Sequence, residues 1–202
     1  MPTSPLYVFE IGGNDVRDAL LLLPDQATAG AALAAALEAL GNTAQELQAL
    51  GARSFLFLNV PDLAALPAVR QIDAQLPGVA AGATVLTRSY TAGVDALVAE
   101  LDGLPSVDAK VIDAYTLFKR ILEQPHAYGF SNVEQTCVTP RQPPYECRRP
   151  DDYVFWDGIH PTRSVRAIFA LEALRVLLPL PALVLPGHAH SGSFRCAYCR
   201  VA

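Results

Sequence analysis

Two short runs of residues carry side chains suited to acyl chemistry. The first is Gly12-Gly13-Asn14-Asp15, directly after the apolar run Leu6–Ile11. Glycines there let the backbone approach a ligand closely, and Asn14 offers a side-chain NH₂ donor at a strand tip. The same residues also suit an ordinary turn. The second is Trp156-Asp157-Gly158-Ile159-His160-Pro161-Thr162. A sharp turn through Gly158 brings the Asp157 carboxylate against Nδ1 of His160, which fixes the tautomer and leaves Nε2 free as a general base. The plainer alternative is a capping turn, in which Thr162 or Ser164 caps a helix and His160 is incidental. Together, an amide donor for an oxyanion and an Asp–His base make two-thirds of an acyl-transfer machine.

These groups need a scaffold to hold them, and the chain is long enough to supply one. Its 202 residues correspond to one medium domain with a core of useful size. A hydrophobic fraction of 51% against 17% charged excludes global disorder. Fifteen basic and 20 acidic residues leave a net charge of -5, which gives no electrostatic footprint for nucleic acid or an anionic membrane. The apolar stretch Val176–Leu185 is interrupted by Pro179 and Pro181 and is too short to span a bilayer. The opening Met1-Pro-Thr-Ser-Pro-Leu-Tyr has neither the basic nor the apolar region of a signal peptide.

Along the chain, strand-like and helix-like patterns alternate. Leu6–Ile11 reads as a strand that Gly12-Gly13 turns out of, and an apolar stretch Ala19–Leu23 follows. Leu33, Leu37, Leu40, Ala44 and Leu47 mark one face of a helix over about Thr28–Leu50, which Gly41 bends or splits. Ser54–Val60 is a nearly continuous apolar run, expected of a strand buried on both faces. A second long helix covers about Val79–Leu101, with Leu86, Tyr90, Val94, Leu97 and Leu101 on its stripe. Lys110–Asp113 is a third strand, Tyr115–Glu123 a further helix, and residues 125–156 look irregular. The last helix starts near Thr162 or Ser164, buries Val165, Ile168, Phe169, Ala173, Val176 and Leu177, and stops at Pro179. This alternation predicts an α/β fold with a parallel sheet and right-handed crossovers, in which ligands bind outside the carboxyl ends of the strands.

The four cysteines fall in two pairs. Cys137 and Cys147 flank a proline-rich segment, where a disulfide would imply an oxidising compartment and two free thiols would not. Cys196 and Cys199 lie downstream of His188 and His190 in a spacing that could hold zinc. The tail has no second apolar layer to support a metal site, and disorder is the better expectation for it. The domain organisation is therefore read as an α/β unit over 1–178 and a Pro-rich tail over 179–202.

With both blocks in view, the chain resembles the GDSL/SGNH hydrolase family of esterases and lipases. Gly12, Gly13, Asn14 and Asp15 match its G-x-N-D block, and Asp157, Gly158, Ile159, His160 and Pro161 match its D-x-x-H-P block. The segments Leu58–Leu63 and Tyr128–Phe130, and the Cys-bracketed loop before Trp156, also look like the family, so the likeness runs from about Pro5 to Leu178. The resemblance implies a three-layer α/β/α, flavodoxin-like sheet and ester hydrolysis through a Ser-His-Asp triad. It assigns His160 as base, Asp157 as its orienting partner, and Asn14 with backbone N–H groups at Gly12 and Gly13 as the oxyanion site. No metal or organic cofactor is implied. Partners are ester substrates: lipid, acetylated sugar or aryl ester. Trp156 and Phe155 would line the acyl side of the cleft or belong to the core.

The family's nucleophile is a serine in a Gly-Asp-Ser-Leu block upstream of the Asn block. No Gly-Asp-Ser occurs here, and Ser4, Ser54, Ser89, Ser106, Ser131, Ser164, Ser191 and Ser193 do not match the pattern. The resemblance thus implies an N-terminally truncated hydrolase that lacks its Ser and Gly blocks and its first strands. A competing reading is an inactive remnant that binds a ligand, or a partner chain on its exposed sheet edge. Family and cysteines together suggest secretion.

Overall fold

A computed structural model describes residues 5–139, 143 and 145–178. The His188, His190, Cys196 and Cys199 group, Ser4, Ser191, Ser193 and the 179–202 tail lie outside the described residues.

The three apolar runs form a parallel sheet in the order β1 (Leu6–Glu10), β2 (Ser54–Leu58), β3 (Asp108–Ile112). The register pairs Val8 with Leu56 and Leu56 with Lys110, so all three carboxyl ends lie at one edge. This is the parallel α/β architecture that the alternation predicts, with boundaries shifted by a few residues. Alternation along the strands sends Tyr7, Phe9, Phe55 and Phe57 to one face, where Phe9 and Phe57 stack with centroids 4.7 Å apart. That face is covered by three helices that also touch one another: α1 (Gly13–Leu21), α2 (Gln26–Ala49) and α4 (Val79–Asp102). Leu33, Leu40 and Ala44 of α2 and Leu86, Tyr90, Val94 and Leu101 of α4 are buried there, as their spacing predicts.

Gly41 does not split α2, which runs unbroken over Gln26–Ala49. It is buried, with space for a Cβ 3.5 Å from Leu97 Cδ1, and packing outweighs its intrinsic cost of about 1 kcal/mol. Gly93 is more constrained, because a Cβ would lie 2.3 Å from Leu37 Cδ1 where α2 and α4 approach.

Three elements depart from the sequence reading. The Gly-Gly-Asn-Asp run opens α1, so Ala19–Leu23 belongs to the end of a helix rather than to a loose apolar stretch. A short helix, α3 (Pro67–Asp73), follows the 3-10 turn Leu63–Ala65. Its one signal was Pro67 at the first helical position. Residues 125–156, read as irregular, contain a two-stranded parallel ladder of β4 (Asn132–Thr136) and β5 (Tyr153–Phe155). Asn132-Val-Glu-Gln-Thr has no apolar alternation to betray it, and main-chain pairing to β5 makes it a strand.

A second core lies beneath this small sheet. It gathers Leu117, Phe118 and Ile121 of α5 (Ala114–Glu123), Val154 and Phe155 of β5, and Val165 of α6 (Arg163–Leu177). Of the six positions expected to be buried along α6, only Val165 is fully so; Ile168, Phe169, Ala173, Val176 and Leu177 are half-buried. The stripe is in the right phase, but α6 packs mainly against β3, leaving Leu171 and Leu174 exposed. On the same side of the sheet Leu56 is buried while Leu6 and Val8 are 42% and 54% exposed. Among the described residues β1 is paired along one edge only.

Cys137 and Cys147 form a disulfide with Cα atoms 5.4 Å apart, which decides between the two cysteine readings. Loop closure over this ten-residue separation corresponds to about 2–3 kcal/mol. Reduction should therefore lower the urea midpoint measurably without loss of the main sheet's circular dichroism. An unchanged midpoint after complete thiol labelling would show that the bridge is energetically idle.

Candidate active site

The Asp157–His160 loop is closed by its own backbone. Trp156 N–H donates to the His160 carbonyl at 2.9 Å, and Thr162 N–H donates to Val154 at 2.9 Å. Inside it, Asp157 Oδ1 accepts the N–H groups of Ile159 and His160 at 2.9 and 2.8 Å, and Oδ2 lies 2.8 Å from His160 Nδ1. One carboxylate thus builds the turn and orients the ring. The imidazole is 57% exposed, so Nε2 is available to a reactant, whereas Asp157 is largely covered.

The turn through Gly158 forms as expected, and Gly158 has a further part at its contact with α3. It is not among the positive-φ glycines; its missing side chain matters because a Cβ would lie 3.3 Å from Ala68 Cβ. The Gly158 carbonyl accepts the Ala68 N–H at 3.0 Å, seating the loop on the start of α3. Neither candidate hydroxyl caps α6. Thr162 Oγ1 donates to the Tyr153 carbonyl and Ser164 Oγ to Asp151, each spent on holding the loop's flanks.

Burial pushes the Asp157 carboxyl up, but hydrogen bonds from the His160 ring and from the Ile159 and His160 backbone outweigh it and hold the group below its ordinary value. Asp25, Asp113, Asp151 and Glu172 are also lowered, and Asp95, by burial and the charge of Asp113, is raised. A lowered carboxylate stabilises the fold above its unfolded value of about 4 and loses that contribution as pH falls through its folded value. The urea midpoint should therefore drop between about pH 4 and pH 2, and Asp157→Asn should flatten part of that limb. A midpoint independent of pH over this interval would contradict the assignment.

At the carboxyl end of β1, Gly12 takes a left-handed conformation (φ 111°) as the N-cap of α1. Its close neighbour is the Tyr90 ring, which a Cβ would meet at 2.3 Å. Burial and the nearby Asp15 charge push the Tyr90 phenol up to about 12. Gly13 and Asn14 are exposed in the first turn of α1, and among the described residues the Asn14 amide has no hydrogen-bond partner. Helix geometry leaves the N–H groups of this turn without intrahelical acceptors. The structure thus joins Asp157 to His160 directly and sets Asn14, Gly12 and Gly13 at the carboxyl edge of the sheet. No hydrogen bond links the two groups; α1 touches the 3-10 turn Leu63–Ala65, which touches α3, on which the His160 loop rests.

Phe155 does not line a cleft. It is fully buried edge-on against Phe118. Trp156 is 40% exposed and borders a surface hollow of about 350 Å³ with Pro150, Pro161, Thr162 and Arg163. No serine hydroxyl is hydrogen-bonded to His160 among the described residues; Ser54 begins β2 at the far edge, and Ser164 is held by Asp151.

Sequence reasoning gave Asn59 no role. It is 3% exposed at the end of β2, where Nδ2 donates to Asp113 at 3.3 Å and Oδ1 accepts the Tyr115 N–H at 3.0 Å. It ties the ends of β2 and β3, and a buried asparagine at a strand tip was the only signal available.

The structure thus combines a parallel sheet with an Asp–His pair on a loop and an exposed Asn after its first strand. The sequence profile of the GDSL-like Lipase/Acylhydrolase family matches residues 2–173, and the chain belongs to that family. A GDSL esterase/lipase of Arabidopsis thaliana is 26% identical over 192 residues, covering 87% of this chain and 55% of its own length. A second from the same plant is 25% identical over 188 residues, covering 86% and 54%. GDSL esterase/lipase 5, also from that plant, is 25% identical over 187 residues, covering 82% and 47%. The chain spans about half the length of the curated relatives it matches.

Proposed function

We propose that this chain carries the base and oxyanion half of a carboxylic-ester hydrolase. The observation that carries the reading is the 2.8 Å contact between Asp157 Oδ2 and Nδ1 of His160, whose side chain is more than half exposed. In the reaction, a serine hydroxyl supplied by an upstream block attacks the ester carbonyl while His160 Nε2 takes its proton. Asp157 stabilises the imidazolium that forms. The carbonyl oxygen gathers negative charge and is received by the Asn14 amide and the free N–H groups around Gly12 and Gly13. His160 then returns the proton to the departing alkoxide, and water releases the acid by the same steps. The Cys137–Cys147 bridge supports an oxidising, extracellular setting.

The test is to append an upstream segment bearing a strand and a Gly-Asp-Ser block and to assay a short p-nitrophenyl ester. Hydrolysis that depends on the added serine supports the reading, and a folded fusion without activity overturns it.

Among the described residues β1 is paired along one edge only, with Leu6 and Val8 exposed, which favours a second reading: a binding module that receives a partner strand there. A serine-directed fluorophosphonate separates the two on the chain carrying the appended Gly-Asp-Ser segment. Labelling of the added serine supports the hydrolase reading and counts against the binding module.

A further inference from the structure

We infer that Arg70 is a positioning residue for the Asp157–His160 pair. The inference rests on the hydrolase reading above and adds the element that sets where the pair stands. Arg70 projects from α3, the short helix that follows β2. Its Nη2 donates to the Glu134 carbonyl of β4 at 2.7 Å, and its guanidinium carbon lies 5.8 Å from the centroid of the Phe155 ring. Phe155 ends β5 two residues before Asp157 and is fully buried. One side chain therefore grips both strands of the small sheet that delivers the loop.

The rest of α3 grips the loop itself. Ala68 N–H holds the Gly158 carbonyl, and Gly158 and Ala68 are too close for a side chain at 158 to fit without a shift. In turn, α3 is fixed to the main sheet's helical layer. Val69 is buried in that core, and Leu63 N–H, one turn earlier, donates to Thr87 Oγ1 of α4 at 3.3 Å. The position of His160 relative to the carboxyl edge of β1 is thus transmitted through α3, with contacts before the loop and within it.

The residue type fits this work and not a generic surface role. Arg70 makes no ion pair with a carboxylate among the described residues, so its charge is not spent on a salt bridge. It is used instead on a backbone carbonyl and an aromatic face, which a planar cation with several in-plane donors can serve together. A residue that merely stabilised the fold would act on the melting temperature alone. A positioning residue acts on the imidazole.

The experiment uses the ¹⁵N-labelled chain and reads the tautomer of His160, assigned by comparison with His160→Gln. In the neutral ring a hydrogen bond to Asp157 selects the Nδ1–H form, and the spectra are recorded at pH 8. The wild-type chain is expected to show that form, and Asp157→Asn to lose it. Arg70→Met is expected to lose the Nδ1–H signal as well, with the His126 signals and the far-ultraviolet circular dichroism unchanged. Arg70→Lys, which keeps a cation and a donor, is expected to restore part of it. Should Arg70→Met fail to fold, Arg70→Gln is read by the same signal. A folded Arg70 variant whose Nδ1–H signal equals that of the wild type overturns the inference and leaves the catalytic reading standing. A wild-type chain without the Nδ1–H form overturns the reading of the pair itself.

Discussion

In an enzyme completed by an upstream Gly-Asp-Ser segment, His160→Ala should lower kcat by about 10⁴- to 10⁶-fold. The size follows from the division of labour. A serine hydroxyl at neutral pH is a weak nucleophile, and on the proposed reading His160 Nε2 is the base presented to it, because Nδ1 is committed to Asp157. Removing the base disables the nucleophile as fully as removing the serine, so the two losses should not add. Asp157→Asn should cost roughly 10⁴-fold, since an amide no longer selects the productive tautomer. Asn14→Ala should cost only about 10²- to 10³-fold, the value of one oxyanion donor. His126→Ala serves as the reference, and equal activity in the His126 and His160 variants would remove His160 from the mechanism.

Gly12→Ala should destabilise the chain by about 2–6 kcal/mol, combining left-handed strain of about 1–3 with overpacking of similar size. The residue sits at φ 111°, and a Cβ would lie 2.3–2.5 Å from three atoms of the Tyr90 ring. Tyr90 is buried among the α4 contacts with α1 and cannot retreat without opening the core. Urea unfolding followed by circular dichroism measures the loss. Gly13→Ala, with nothing within 4 Å of its Cβ position and no positive φ, should change little in the same assay. If both substitutions cost the same, the role given to Tyr90 is wrong. On the proposed reading the pairing matters for function too, because Gly12 is the N-cap of the helix whose first turn carries Asn14.

Much of this was legible in the residues alone. Apolar runs at Leu6–Ile11 and Ser54–Val60 and the stripes of α2 and α4 specify strands and helices because burial acts on local periodicity. The Asp157–His160 contact was legible for the same reason: three residues apart, the two side chains meet within one turn. What lay beyond reach were features set by neighbours distant in sequence. Asn132–Thr136 becomes a strand only because Tyr153–Phe155 pairs with it. Gly41 stays helical because Leu97 packs over it, and Phe155 is core rather than cleft because Phe118 and Arg70 enclose it.

The sequence by itself therefore determined the α/β class, the principal elements and the Asp157–His160 contact, since each depends on residues close along the chain. The tertiary structure alone decided that Gly12 backs onto Tyr90, that the disulfide forms, and that α3 carries the His160 loop. Those outcomes depend on which surfaces meet across long stretches of chain, and no local pattern encodes that choice.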